Sequence, residues 1–135
     1  TIFLTDNSIK KNIALGKETA EINNEKINKV VLDCQLFDFV NKLDNKEETR
    51  VGELGSKISE GQKQRLGLAR ALYKDPDILV LDEFTSSLDS ETEDEIMKII
   101  NNLKGKKTVF IVSHRNNPIK HCDKIINLDS LNKEN

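Results

Sequence analysis

Hydrophobic side chains in the first half of the chain recur at helical spacing. A turn or cap signal at residues 6–8 precedes a brief amphipathic stretch, and a longer helix with one buried stripe is predicted from Asn24 to about Leu43. The apolar positions of the two stretches are Ile9, Ile13 and Leu15 in the first, and Ile27, Val30, Val31, Cys34, Phe37, Phe39 and Val40 in the second. A polar, glycine-containing loop is expected at residues 44–58.

A further helix is predicted to begin after Ser59 and to end near Lys74, because Pro76 cannot continue it. Ser59 and Gln62 have the spacing of a capping box. Gly61 lies in the first turn, where glycine lowers helix stability relative to alanine. Two explanations stay open: tight packing at Gly61, or close approach of a ligand to the backbone. That ligand would be an anion, since free amides and the helix dipole converge there.

The hydrophobic period changes after residue 76. Residues 78–81 form a continuous apolar run of strand length, typical of a central parallel strand covered on both faces. Helical spacing returns at residues 90–103. Two β-branched runs, at residues 108–112 and 124–128, predict further strands with a short helix between them.

This order of elements predicts an α/β fold with two parts that meet near Pro76. Residues 1–76 are expected to form a helical subdomain, and residues 77–135 to alternate strand and helix around a parallel sheet. No internal repeat or low-complexity segment interrupts either part.

Composition narrows the classes of function. The 135 residues include 21 basic and 23 acidic side chains, a net charge of −2 with the signs interspersed, so bulk charge does not favour nucleic acid as a partner. Cys34 and Cys122 lie far apart and outside any metal-spaced cluster, which favours a reducing, cytoplasmic compartment without a disulfide framework or zinc site. No apolar run approaches the ~20 residues of a membrane span, so we expect a soluble chain. Because it begins with Thr1 and its single methionine is Met97, we also expect it to be cut from something longer.

Acidic residues follow the first predicted strand, where open parallel sheets bind ligands. Asp82 and Glu83 are adjacent there, so their side chains are expected to point in different directions. One can hold a hydrated magnesium ion while the other orients an attacking water. Asp89 follows in a turn, and His114 comes directly after the next strand.

Four stretches in this order resemble the ATPase domain of ABC transporters. ISEGQKQR resembles the signature motif usually written LSGGQ-x-QR, ILVLDE resembles Walker B with its catalytic glutamate, SSLD resembles the D-loop, and SHR resembles the H-loop. TRVGELG is similar to the TxVGExG segment of exporters, and FLTDNSIKKNIALG to the segment that follows their Q-loop glutamine. The resemblance covers nearly the whole chain and implies a partial P-loop NTPase fold, a helical subdomain followed by the second half of the core sheet.

The resemblance implies a catalytic role for two residues and a metal role for a third. Glu83 would be the general base or water-positioning group, and His114 would contact the terminal phosphate and the attacking water. Asp82 would hold Mg²⁺ through water. Such catalysis consists mainly of positioning and electrostatics.

The resemblance also implies an ATP site shared between two domains. Ser59, Gly61 and Gln62 would bind the terminal phosphate of an ATP held chiefly by a second ATP-binding domain, and Asp89 would link the two sites of the dimer. The implied partners are that second domain, in a homo- or heterodimer, and a transmembrane domain at the cytoplasmic face of the membrane, with ATP and Mg²⁺ as cofactors. Residues 49–55 would face the membrane domain.

This sequence departs from the family pattern in several places. Glu60 stands where the signature usually has glycine, and Asn116-Asn117-Pro118 replaces the usual Leu-Ser-Thr after the histidine. The chain contains no GxxxxGK[ST] loop, no preceding aromatic residue for adenine and no Q-loop glutamine. The missing phosphate loop implies that the isolated chain is inactive.

Each motif alone also has a structural alternative. Ser59 could simply begin a helix, Asp89 could be the N-cap of the helix that follows it, and Asp82 and Glu83 could be loop acids. His114 alone would more often be a structural histidine, and His121 is interpreted as one.

Four other side chains have structural interpretations. Phe37 and Phe39 are expected to be core or subdomain contacts. Arg65 and Arg70 are expected to pair with loop acids, with contact to a phosphate as the second choice.

Other functional classes remain open beside an exporter. A DNA-repair or chromosome-maintenance ATPase can share the signature and Walker B, but it predicts long flanking heptad segments. A ribosome-associated ATPase usually reads NHLD at the D-loop and lacks the TxVGExG segment. The transported substrate would be set by membrane helices, with a weak preference for a lipid or lipid-linked sugar.

Overall fold

The computed structural model describes residues 2–128, and the helical part comes first. Its helices are α1 (Ile9–Ile13), α2 (Asn24–Asp33), α3 (Phe37–Asn41) and α4 (Glu60–Tyr73). Short 3₁₀ turns span Thr19–Glu21, Lys46–Glu48 and Glu53–Gly55. Helices α1 and α2 both pack against α4, which is therefore the central helix of this part.

Helix α4 begins and ends as its sequence predicts. Ser59 is the N-cap and Lys74 the C-cap, and the capping box is confirmed: Gln62 N–H donates to Ser59 Oγ while Ser59 N–H donates to Gln62 Oε1. Leu66 and Leu68 are fully buried, and each such side chain contributes roughly 1.5–3 kcal/mol relative to exposure. The burial of these side chains fixes α4 as a rigid base for the loops at its N-terminus.

The prediction of a single helix from Asn24 to about Leu43 is wrong, because two helices occupy that stretch. Helix α2 ends at Asp33, and Gln35 adopts a left-handed backbone conformation with φ 54°. Helix α3 begins after this break, and Phe37 at its first position is 50% exposed, so it is not a core contact, one of the two roles expected of it. Phe39 is partly buried against the core, as expected.

A parallel pair of strands follows the helical part. Strand β1 (Ile78–Asp82) is followed by α5 (Ser90–Asn101), β2 (Thr108–Val112) and α6 (Asn116–Lys120). The predictions for residues 90–103, residues 108–112 and the short helix are thereby confirmed. Strands β1 and β2 pair in parallel, so both carboxyl ends lie at the same edge.

One face of this sheet is uncovered, which contradicts the expectation of a strand buried on both faces. Leu79 and Leu81 are buried on one face, whereas Val80 is 64% exposed on the other. The neighbouring side chains of this open face are Ile78, Phe110 and Val112, each at least half exposed. The open sheet face, defined by these four apolar side chains, has no covering element among residues 2–128.

Two smaller expectations also differ from the structure. Residues 124–128 form no strand, so the third strand predicted there is absent. Residues 129–135, which belong to the predicted second part, lie outside the described residues. Leu15, predicted on the apolar side of the first stretch, is 38% exposed because α1 ends at Ile13. No helix within residues 2–128 is long and apolar enough to span a membrane.

Candidate functional site

The structure brings Asp82, Glu83 and His114 together at one edge of the sheet. Asp82 ends β1 and His114 follows β2 by two residues. Glu83 N–H donates to Val112 O at 2.9 Å, which extends the ladder by one residue. These three residues are called the sheet-edge group below.

Glu83 has an unusual backbone conformation. Its φ is 46°, in the left-handed region that a residue with a Cβ rarely adopts. Ser86 holds this conformation, because both its N–H and its hydroxyl donate to Glu83 O, at 3.1 and 2.8 Å. Backbone strain of this kind, which costs on the order of 1–3 kcal/mol, is concentrated at functional sites.

Glu83 and His114 face each other without a hydrogen bond. Glu83 Oε1 lies 3.7 Å from His114 Nε2, beyond hydrogen-bond distance, and accepts no hydrogen bond among the described residues although it is shielded from solvent. The His114 side chain is 94% exposed. The Glu83 side chain as a whole is 38% exposed, so solvent reaches this carboxylate although Oε1 itself is shielded, and His114 is open to a ligand.

Asp82 is exposed on the open sheet face, beside Val112 of β2. The described residues contain no cluster of three or more His, Cys, Asp or Glu that could hold a metal by itself. Mg²⁺ commonly retains several waters and takes only one or two carboxylates together with substrate phosphates. An exposed, single carboxylate therefore fits a water-mediated Mg²⁺ contact but not a site made by this chain alone.

Ser59, Gly61, Gln62 and Asp89 come together in a separate cleft of about 320 Å³. It is lined by the first turns of α4 and α5 and by residues 87–89, and we call it the helix-end cleft. Helix N-termini carry free amides and positive dipole ends, which favour anions. Among the described residues, no hydrogen bond or ion pair joins this cleft to the sheet-edge group.

Gly61 is required by packing inside the cleft. A Cβ at this position would come within 2.6 Å of Thr92 Cγ2, closer than real side chains approach. Of the two explanations for this glycine, tight packing is therefore directly visible. The same contact brings the first turns of α4 and α5 side by side, which positions both sets of amides at one cleft.

Asp89 is the N-cap of α5, as its structural alternative expected. Its side chain accepts from Thr92 N–H at 3.0 Å and from the Thr92 hydroxyl at 2.8 Å. The hydrogen bonds from Thr92, first from its backbone and then from its side chain, hold the pKa of Asp89 below its usual value. Asp89 is thus ionised at neutral pH and remains exposed to a partner. Thr92 was not recognised from the sequence, although its spacing from Asp89 is a capping signal.

Glu60 and Arg65 bring charge to the cleft. Glu60 Oε2 lies 3.6 Å from Lys63 Nζ, a partly exposed pair that offsets some of the negative charge. Arg65 pairs with Glu95 of α5 and donates to Gln35 O at 3.0 Å, whereas a loop acid was expected. Arg65 therefore connects α4 with α5 and with the break after α2.

The structure also tests the predicted contacts of Arg70 and His121. Arg70 contacts no loop acid among residues 2–128 but donates to the backbone oxygens of Asn12 and Phe3, both at 2.8 Å. Burial lowers the pKa of Arg70. His121 Nδ1 lies 2.8 Å from Asn101 Nδ2, so its structural interpretation is confirmed.

The loop at residues 49–55 is held in place by the start of the chain. Ile9 N–H donates to Thr49 O and Val51 N–H to Asn7 O, at 3.0 and 3.1 Å. Leu54, at the end of this loop, has φ 50° and is 59% exposed. An apolar side chain presented on a strained, well-anchored loop is suited to contact with another protein surface.

Comparison with known proteins identifies the family. The family model described as ABC transporter matches residues 4–86, more than half of the chain. The chain belongs to the ABC transporter family. Its fold is accordingly that of an ABC ATPase domain, an α/β fold of the P-loop NTPase class, of which it contains the signature helix α4 and the strands β1 and β2.

Similar ABC proteins cover the chain almost completely. It is 41% identical over 128 residues to an ATP-dependent lipid A-core flippase of Xylella fastidiosa, with 95% of this chain and 22% of the relative aligned. It is 40% identical to a Beta-(1-->2)glucan export ATP-binding/permease protein of Rhizobium johnstonii, over 93% of this chain and 21% of the relative. A bacterial Atm1-family ABC exporter solved with ATP bound has a TM-score of 0.70 and 34% identity, covering 84% of this chain and 19% of that one. The chain thus spans about a fifth of the length of these relatives.

Proposed function

We propose that this chain is the carboxy-terminal part of the ATP-hydrolysing domain of an ABC exporter. The observation that carries the proposal is the sheet-edge group, in which Asp82, Glu83 and His114 converge at the carboxyl ends of two parallel strands. The relatives' names, which include "export ATP-binding/permease protein", support the same function.

The open sheet face supports the view that the rest of the ATPase domain lies elsewhere in a longer protein. Val80 and Phe110 expose more than half of their surface, while parallel sheets normally have both faces covered. A two-stranded sheet is also marginal by itself in water. The covering segment would bring the phosphate-binding loop that this sequence lacks, and it would place that loop beside Asp82.

Each residue of the sheet-edge group then has one task. Glu83, whose side chain is 38% exposed, accepts a hydrogen bond from the attacking water and orients the water in line with the terminal phosphate. His114, exposed at the same edge, donates to that phosphate. Asp82 holds Mg²⁺ through water, and the ion, when bound, neutralises charge on the phosphates.

The helix-end cleft would serve the second ATP of a dimer. The amides of Glu60 and Gly61 lack intrahelical acceptors and point out of the N-terminus of α4. Ser59 and Gln62 fix this end through their reciprocal hydrogen bonds. Closure of two such domains around ATP would move an attached transmembrane domain at the cytoplasmic face of the membrane, with a lipid or lipid-linked sugar as the proposed cargo.

The direct test is ATP turnover by the complete protein in lipid vesicles. Mg²⁺-dependent hydrolysis at roughly 1–100 turnovers per second, the usual range for positioned phosphoryl transfer, is expected. The isolated 135-residue chain serves as the comparison and should not hydrolyse ATP, since it lacks a phosphate-binding loop. Absence of hydrolysis by the complete protein would overturn the proposal.

A further inference from the structure

Arg115, the residue after His114, contacts the turn that joins Glu83 to Asp89. Its Nη1 donates to Thr85 O at 2.8 Å and to Leu88 O at 3.0 Å. Thr85 lies between the sheet-edge group and the helix-end cleft, and Leu88 lines the cleft itself. The guanidinium therefore connects the segment after β2 directly to the segment after β1.

A buried carboxylate keeps this guanidinium in place. Glu93 of α5 is 2% exposed, and its Oε1 lies 3.1 Å from Arg115 Nη1. Because both Nη1 protons point at the two carbonyls, this contact is an ion pair without an aligned hydrogen bond. A buried carboxylate requires such a cation, since its desolvation would otherwise be uncompensated.

Asn117 contacts the same carboxylate but not the turn. Its Nδ2 donates to Glu93 Oε2 at 3.1 Å and to Asp94 Oδ1 at 2.7 Å. It thus attaches α6 to α5 from the same stretch of chain as Arg115. Asn117 is therefore a matched control for Arg115. Both side chains contact Glu93, but only that of Arg115 reaches the Thr85 and Leu88 carbonyls.

We propose that Arg115 is a positioning residue that keeps Glu83, Asp89 and His114 in fixed relative geometry. The inference rests on the proposed function, because that function makes this geometry matter for turnover. Thr85 lies two residues after Glu83, and Leu88 directly precedes Asp89, so the guanidinium holds the turn near both ends. It acts through backbone carbonyls and does not itself touch the reacting atoms.

The sharpest variant is Arg115→Lys in the complete protein, with Asn117→Ala as the control. Lysine keeps a cation beside Glu93, but its side chain is shorter and its ammonium lacks the coplanar pair of Nη1 protons that meets the two carbonyls. We expect Arg115→Lys to lower kcat per folded protein about tenfold or more while KM for ATP changes less than about twofold, since misplacement by about 1 Å can cost 10²-fold. Asn117→Ala should keep kcat within about twofold of the unsubstituted protein.

Amide hydrogen exchange of residues 84–89 provides a readout that does not require turnover. Arg115→Lys should increase exchange there about tenfold, with no change in α4, whereas Asn117→Ala should leave residues 84–89 unchanged. The proposal would be overturned if the two variants had equal effects. It would also be overturned if Arg115→Lys changed neither the exchange of residues 84–89 nor kcat. Lack of turnover by the unsubstituted protein would instead contradict the proposed function, and the exchange comparison would still decide the role of Arg115.

Discussion

Gly61 and Thr92 bring two helix N-termini into direct contact, with no room for a Cβ at the glycine. The clearance to Thr92 Cγ2 would be only 2.6 Å. Because α4 and α5 both begin beside this contact, their two N-termini lie on one cleft. The glycine that suggested a ligand site in the sequence is therefore needed for packing between the two helices. That packing places both helix N-termini at the cleft.

Substitution at this contact should show steric coupling between the two residues. Gly61→Ala is expected to lower the free energy of unfolding of the complete protein by about 1–3 kcal/mol, as overpacked sites do. Thr92→Ser removes Cγ2 but keeps the hydroxyl bonded to Asp89, so the double variant should recover most of that loss. A double-mutant cycle by chemical denaturation measures the coupling. Simple additivity of the two effects would show that the contact is not tight in solution.

Glu60 adds a negative charge at the N-terminus of α4, where a phosphate is proposed to bind. Lys63 is close enough to offset part of that charge, and the pair is partly exposed, so the remaining repulsion should be of surface size, roughly 0.2–1 kcal/mol. Glu60→Gln should therefore lower the ATP concentration for half-maximal turnover by about two- to fivefold at low salt, and less at high salt. Lys63→Gln removes the cation that partly neutralises Glu60, so it should raise the ATP concentration for half-maximal turnover. An unchanged value in both variants would mean that the charge points away from the nucleotide.

The loop at residues 49–55 is proposed to contact the membrane domain. Glu53 is exposed beside Leu54, and the loop is anchored by hydrogen bonds to the start of the chain. A cysteine introduced as Glu53→Cys should form a crosslink with cytoplasmic loops of the membrane domain that depends on ATP. Lys98→Cys, on an exposed position of α5, provides a control site. Identical crosslinking from both sites, or none from Glu53→Cys in any nucleotide state, would exclude the proposed contact.

Neutralising Asp82 and neutralising Glu83 are expected to change the Mg²⁺ dependence of turnover differently. Asp82→Asn removes the charge proposed to hold Mg²⁺ through water, so the Mg²⁺ concentration for half-maximal turnover should increase about tenfold or more. Glu83→Gln should leave that concentration nearly unchanged. Titration of turnover with Mg²⁺ at fixed ATP separates the two, and indistinguishable curves would contradict the separate roles.

Features that depend on neighbours in the sequence were predicted well. The cap at Ser59, the end of α4 before Pro76 and the strand at residues 108–112 all follow from local spacing. The order of the four short motifs along the chain also indicated the family, which the family model confirms. Local chemistry and motif order together were therefore sufficient for the fold class.

Features that depend on distant parts of the chain could not be predicted. The break at Gln35 has no glycine or proline to mark it, and Arg65 finds Glu95 in a different helix. The apolar run of β1 indicated burial on both faces, although no element covers its outer face in residues 2–128. The role of Arg115 likewise depends on Thr85 and Leu88, which only the parallel pairing of the strands brings close.

The central claim is that Glu83 at the sheet edge orients the attacking water for ATP hydrolysis. The measurement is the turnover number and the ATP dissociation constant of the complete protein, compared with Glu83→Gln and with Glu91→Gln, a neutralised exposed acid in the first turn of α5. Glu83→Gln should lower turnover by about 10²- to 10⁴-fold while ATP affinity stays within about threefold, because the amide keeps the shape but loses the proton acceptor. Glu91→Gln should match the unsubstituted protein. Turnover by Glu83→Gln within about twofold of the unsubstituted protein would contradict the claim, since loss of an essential general base costs far more.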